Sequence, residues 1–174
     1  TGAALSQRYA DLKAAVAAGF AGVQEAAAQA PSVPLAEVEW LPVIPNPDKI
    51  LCIGLNYETH RKETGRSEVE HPTIFARYAN SQVGHLAPIV RPKVSVELDY
   101  EGELAVVIGR PGRYIARADA FDHIAGFACY NDGSVRDFQR HTHQFTPGKN
   151  FVGTGAFGPW PVSYTHLRAH ETPE

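Results

Sequence analysis

Methionine is absent from this sequence, and cysteine and tryptophan occur only twice each. Because the chain opens on Thr1, its natural start is expected to lie upstream. The two cysteines, Cys52 and Cys129, sit in apolar runs without metal or redox spacing. That argues against a disulfide scaffold, and buried free thiols in a reducing compartment are expected. No apolar run approaches the roughly 20 residues that a membrane helix needs. The first residues, TGAALSQRY, have none of the charged start, apolar centre and cleavage site of a signal peptide. A cytoplasmic location and no membrane partner are the resulting expectations. Charge of one sign is not in excess either. The formal charge is −3 and no basic stripe runs along the chain, so nothing recommends nucleic acid as a partner.

What is present is an ordinary globular composition, 44% apolar and 20% charged, over 174 residues, enough for one domain with a small appendage. Residues 3–30 are alanine-rich, with Leu5, Tyr9, Leu12 and Val16 spaced for one helix face; Gly19 and Gly22 should split them into two short helices. Prolines at 31, 34, 42, 45 and 47 end the helical piece and read as an extended linker. The expected organisation is a helical extension and linker over 1–45, a main domain over 46–162 and a tail over 163–174. Strands are predicted at 49–55, buried on both faces, at 72–78, within 91–110 as the longest, and at 126–132; a short helix is predicted at 118–124. Residues 133–160 are polar and glycine-rich and read as loop, long enough to expect a functional role. The class is β-rich α+β with a small helical N-terminal region.

The most informative segment is Asp99-Tyr100-Glu101-Gly102-Glu103. In a strand, residues two apart share a face, so Glu101 and Glu103 project side by side, and Leu104, Val106 and Ile108 take the other face, expected to be buried. Two carboxylates at the end of a buried strand repel unless a cation neutralises them. A hard divalent ion with oxygen ligands meets that need, and Asp132, at the end of the run AGFACY, offers a third carboxylate. The alternative is that Glu101 and Glu103 lie on the wet face of an edge strand, and spacing alone leaves both open. His141 and His143 lack a third partner at zinc spacing and read as loop histidines.

KILCIGLNYETH (49–60), HPTIFAR (71–77), LDYEGELAVVIG (98–109), YNDGSVRDFQ (130–139) and PGKNF (147–151), taken together and in this order, resemble the fumarylacetoacetate hydrolase family. The resemblance implies a mixed β-sheet roll around a central active site. It implies Mg²⁺ or Mn²⁺, with Ca²⁺ as a further option, held by Glu101, Glu103 and Asp132. It implies hydrolysis of a carbon–carbon bond in an acylpyruvate-type 2-oxo acid, with decarboxylation, isomerisation or hydration as alternatives on the same scaffold. The shared logic is chelation of the 2-oxo-carboxylate and stabilisation of an enolate. A small-molecule 2-oxo acid as substrate and a homodimer in the full-length parent follow from the same likeness.

By position, His60 and Glu63 match a water-activating pair on a lid, and their i,i+3 spacing would let them meet on one helical turn; a solvated loop is the other reading. Arg136 and Gln139 match substrate-contacting positions, although Arg136 could instead pair with Asp137. Lys149 matches an active-site lysine, a role that rests wholly on the resemblance, and Arg77 matches a basic position near the metal. The likeness stops after GPWPV (158–162). His166 and His170 in the tail SYTHLRAHETPE have i,i+4 spacing, yet the segment has no apolar periodicity and is expected to be foreign to the family and to replace a lost C-terminal part.

Overall fold

The computed structural model describes residues 8–58, 62, 65 and 70–163. The alanine-rich start forms α1 (Leu12–Ala17) and α2 (Val23–Gln29). Asp11 caps α1 by accepting the Ala14 amide at 2.7 Å, and the break falls at Gly19 and Gly22, both in the left-handed region that glycine enters without a Cβ penalty. Helix α1 is clasped to the next segment by Lys13, which reaches Asp48 at 2.9 Å, and by Asn46, which donates to Asp11 at 2.8 Å.

The proline-rich stretch is only partly a linker. Its first half is exposed, but Val43 and Ile44 are buried in the core, and the Val43 amide donates to the Phe157 carbonyl at 3.3 Å. Apolar side chains between prolines had somewhere to go, and burial fixed them there.

Among the described residues three small sheets follow. Strands β1 (Ile50–Gly54) and β2 (Thr73–Arg77) pair antiparallel. A four-stranded sheet has the order β3 (Gln82–Val83), β8 (Gly155–Phe157), β6 (Ile124–Asp132), β5 (Gly102–Ile108), with β3 and β8 parallel and the rest antiparallel. Strands β4 (Leu98–Asp99) and β7 (Ser134–Val135) make a separate antiparallel pair. Helices α3 (Arg136–Gln139) and α4 (Thr146–Lys149) lie between β7 and β8. The architecture is the β-rich α+β expected.

Several local expectations change. The long strand within 91–110 breaks at Tyr100 and Glu101, because β4 leaves to pair with β7, and β6 is the longest strand. Strand β1 is not buried on both faces, since Leu51 and Ile53 are exposed. Residues 133–160 are not one loop but carry β7, α3, α4 and β8. The stretch 118–124 forms a 3₁₀ helix, Arg117–His123.

The faces of β5 are reversed from expectation. Leu104, Val106 and Ile108 are 53%, 47% and 63% exposed, while Glu103, Ala105 and Val107 face the interior. Ala105 and Val107 pack on the core of Val43, Ile44, Ala128, Tyr130 and Phe157. Cys129, opposite Leu104, is likewise exposed on the outer face rather than buried. Cys52 is half-buried and free, and burial pushes its thiol pKa up to about 12. Among the described residues no helix is long and apolar enough to cross a membrane.

Candidate active site

Strand periodicity sets the site. Along β6, Ala128, Tyr130 and Asp132 point inward together, so the strand that supplies the core also delivers a carboxylate at its end. Glu103 lies opposite Tyr130 on β5 and shares that inner face. Glu101 precedes β5, yet it is held in register: its carbonyl accepts the Asp132 amide at 2.9 Å and its amide donates to Asn131 Oδ1 at 3.0 Å. The three carboxylates therefore come from two adjacent strand ends. Together with Arg136, Gln139 and Lys149 they line one open cavity between β5 and the β1–β2 pair.

Each carboxylate has a distinct electrostatic setting. Asp132 is 3% exposed, and its two oxygens are divided between two cations. Oδ1 accepts from Arg77 Nη1 at 2.5 Å, and Oδ2 accepts from Lys149 Nζ at 2.7 Å. Lys149 Nζ also donates to Glu101 Oε2 at 2.8 Å, so one ammonium bridges Glu101 and Asp132. The second Glu101 oxygen, Oε1, accepts from Arg136 Nη1 and from the Ser134 hydroxyl. Burial works against the Glu101 charge, but Lys149 and then Arg136 outweigh it and hold the pKa below its ordinary value. Among the described residues Glu103 has no cation in direct contact. Burial, followed by the charges of Glu101 and Asp132, raises its pKa, and the Lys149 charge and then a hydrogen bond with Tyr57 offset this only in part. Among the described residues, four carboxylates, counting Asp99, meet three cations here, which leaves one negative charge over.

The basic residues take specific places. Lys149, in the last turn of α4, is 1% exposed, and its ammonium lies 4.9 Å from the centre of the Phe75 ring. Helix α4 is positioned by Asn150, whose side chain donates to the Ala76 carbonyl at 3.0 Å and accepts the Tyr78 amide at 2.7 Å. Gly148 is required there, since a Cβ would stand 2.4 Å from the Gln139 amide nitrogen of α3. Arg77 is fully enclosed. Besides Asp132 it donates to the Gly133 carbonyl at 3.0 Å, Thr154 Oγ1 at 2.8 Å and Ser81 Oγ at 3.3 Å. With every nitrogen engaged behind Asp132, Arg77 holds a carboxylate rather than facing the cavity. Arg136 does fork onto a carboxylate, but onto Asp99 Oδ2, at 2.9 and 2.8 Å, and not onto Asp137, whose partner is Ser95. Gln139 accepts from Arg136 Nη1 at 2.9 Å.

Sequence reasoning missed Asp99, Ser134, Asn150 and Thr154. Only Asp99 carried a signal, as the first residue of the acidic run. His60 and Glu63 lie outside the described residues, as do most of the expected lid and the tail histidines His166 and His170. His141 and His143 are exposed, with the His141 ring 4.7 Å from Phe138.

The hydrogen-bond acceptors around Lys149 Nζ are both carboxylate oxygens, the ligand type that suits a hard divalent cation. Two of them already converge on one positive centre, the ammonium itself. The residues fit such an ion. Among the described residues, though, no three carboxylate, histidine or cysteine side chains close on a single point. The geometric reason is visible: Glu101 and Asp132 each turn one oxygen onto the Lys149 ammonium, which lies between them.

A mixed β architecture with a buried carboxylate–cation centre at the ends of β5 and β6 defines the class of protein. The family profile described as fumarylacetoacetate (FAA) hydrolase C-terminal matches residues 49–173, and the chain belongs to that family. It is 43% identical over 135 residues to the mitochondrial oxaloacetate tautomerase FAHD2A of Homo sapiens, covering 76% of this chain and 43% of that protein. It is 44% identical over 143 residues to the oxaloacetate tautomerase YisK of Bacillus subtilis, covering 79% and 47%. The crystal structure of a 2-hydroxyhepta-2,4-diene-1,7-dioate isomerase from Mycobacterium marinum superposes with a TM-score of 0.67 at 35% identity, covering 78% of this chain and 50% of that one. The chain spans about half the length of these relatives.

Proposed function

We propose that this chain carries the carboxylate centre of a divalent-metal-dependent enzyme that acts on 2-oxo acids through their enol forms. The observation behind the reading is the pairing of Glu101 and Asp132 around one buried cation, with Glu103 beside them on the same inner face. Glu101, Glu103 and Asp132 would hold Mg²⁺ or Mn²⁺. Bound there, the ion would draw electron density from a 2-oxo group and make the adjacent carbon more acidic. The chain's own residues supply the rest. Arg77 fixes Asp132 from behind, Arg136 and Ser134 fix Glu101, and Lys149 sets a positive charge between the two carboxylates.

Proton transfer between carbon and oxygen needs no attacking water, and the relatives named above are called tautomerases and an isomerase. Keto–enol or double-bond isomerisation of a 2-oxo acid is the first reading. Hydrolysis of an acylpyruvate is the second, favoured by the His60–Glu63 spacing in the sequence, which suits activation of water. Assays on oxaloacetate and an acylpyruvate, with EDTA or with Mn²⁺, separate the two. Metal-dependent tautomerisation that survives His60→Ala supports the first. Hydrolysis that falls by about 10²–10⁴-fold on His60→Ala supports the second. Turnover unaffected by EDTA would refute the metal reading.

A further inference from the structure

We infer that the Lys149 ammonium is the place-holder for the divalent cation, so that metal enters this site by displacing Lys149 from Glu101 and Asp132. The inference rests on the metal reading above and adds a mechanism of loading to it.

The argument starts from how the carboxylate oxygens are used. Glu101 Oε1 is taken by Arg136 and Ser134, and Asp132 Oδ1 by Arg77. The oxygens turned toward each other, Glu101 Oε2 and Asp132 Oδ2, share one donor, Lys149 Nζ, at 2.8 and 2.7 Å. A cation bound by both residues would need those same two oxygens. Lys149 is 1% exposed, so its ammonium is not a solvated surface charge that has swung in; α4 and Asn150 hold it there. Neither Arg77 nor Arg136 stands between the carboxylates. Each approaches from an outer side and can remain in place when the central cation changes.

Such an arrangement gives Lys149 two opposed effects. In the metal-free protein it offsets the charges of buried Asp132 and half-buried Glu101, which would otherwise repel each other and Glu103. Toward an incoming ion it is a competitor, because its two charge-assisted hydrogen bonds must break first. A lysine that merely assisted a bound metal would have no reason to span both ligands at hydrogen-bonding distance.

The test is calorimetric titration of Mn²⁺ and Mg²⁺ into the full chain and into Lys149→Met, Lys149→Gln and Lys149→Arg, together with melting curves in EDTA and at saturating Mn²⁺. Lys149→Met and Lys149→Gln should bind Mn²⁺ at least about tenfold more tightly than wild type, a gain of about 1.4 kcal/mol. They should melt lower than wild type in EDTA and regain most of the loss with the ion. Lys149→Arg, which keeps the charge, should gain nothing. A variant that is unfolded in EDTA yet folds on adding Mn²⁺ also supports the exchange, whereas one that stays unfolded at saturating Mn²⁺ overturns it. If wild type binds the ion and neither neutral variant binds it more tightly, the exchange alone is wrong. If no form binds either ion, the metal reading falls and the exchange with it.

Discussion

Arg77 offers the sharpest test of how the site is built. Replacing it with methionine keeps most of the volume and removes every donor. The buried pair with Asp132, at 2.5 Å with 0% and 4% side-chain exposure, is then broken from one side. Breaking a buried ion pair costs about 3–5 kcal/mol. Asp132 keeps Lys149 at 2.7 Å, which places the loss toward the lower end. Thr154 still donates to the Phe151 carbonyl and Ser81 to the Tyr78 carbonyl, so neither hydroxyl is orphaned. The Gly133 carbonyl does lose the Arg77 donor, which adds about 1 kcal/mol. The sum is about 3–4 kcal/mol, or a fall in melting temperature of roughly 6–16 °C for a chain of this size. Arg77→Lys keeps the charge, but one nitrogen cannot serve Asp132, Gly133 and Thr154 together, and about half the loss should remain. Thermal melts of wild type, Arg77→Met, Asp132→Asn and the double variant close a mutant cycle. The double variant should lose less than the two single losses added together, by at least about 1 kcal/mol. A melting temperature for Arg77→Met within about 2 °C of wild type would refute the buried-pair argument.

Other outcomes follow from the same geometry. Glu103 has a raised folded pKa, so its contribution to stability is fully present below the unfolded carboxylate pKa and is lost as pH rises through the raised value. Metal-free Glu103→Gln should therefore melt higher than wild type at neutral pH, with the difference closing in acid; equal melting at neutral pH would contradict the crowding of charge. Glu101 has a lowered pKa, and its contribution is present above the unfolded value and lost as pH falls through the lowered one. Glu101→Gln should thus be less stable than wild type at neutral pH, again with convergence in acid. Gly84→Ala should cost at least about 2 kcal/mol by denaturant titration, because a Cβ there would stand 1.8 Å from the Trp40 carbonyl oxygen, and backbone cannot step aside as a side chain can.

The family was legible in the sequence through its five-part motif order, which also pointed to Lys149, and the run from Asp99 to Glu103 flagged the carboxylates, although Glu101 lies just before β5 and not in the strand with Glu103. The inner and outer faces of β5 were not. Alternation told which residues share a face, but apolar Leu104, Val106 and Ile108 competed with Glu103, Ala105 and Val107 for the interior, and the acidic pair won because β6 brings Asp132 and the core to that side. The break between β4 and β5 was hidden for a related reason: it depends on β7, a two-residue strand far along the chain. The anchoring of Val43 and Ile44 was masked by the prolines around them. Short polar anchors such as Ser134 and Asn150 carry no pattern at all, since their worth lies in where their partners happen to be.

The ion pairs and hydrogen bonds of the site also set a timescale. Arg77 and Asp132 are 55 positions apart, Lys149 and Glu101 48, and Arg77 and Thr154 77. Contacts this remote close only after the intervening chain has been ordered, which makes them slow to form. The apolar faces of β5 and β6, joined over a far shorter span, are expected to meet first, with Glu101 and Asp132 still hydrated as the folding barrier is crossed. Weakening the charge cluster should then leave the refolding rate nearly unchanged and appear almost entirely as faster unfolding. In stopped-flow measurements, Arg77→Met would move the unfolding limb of the chevron while its folding limb overlays that of wild type.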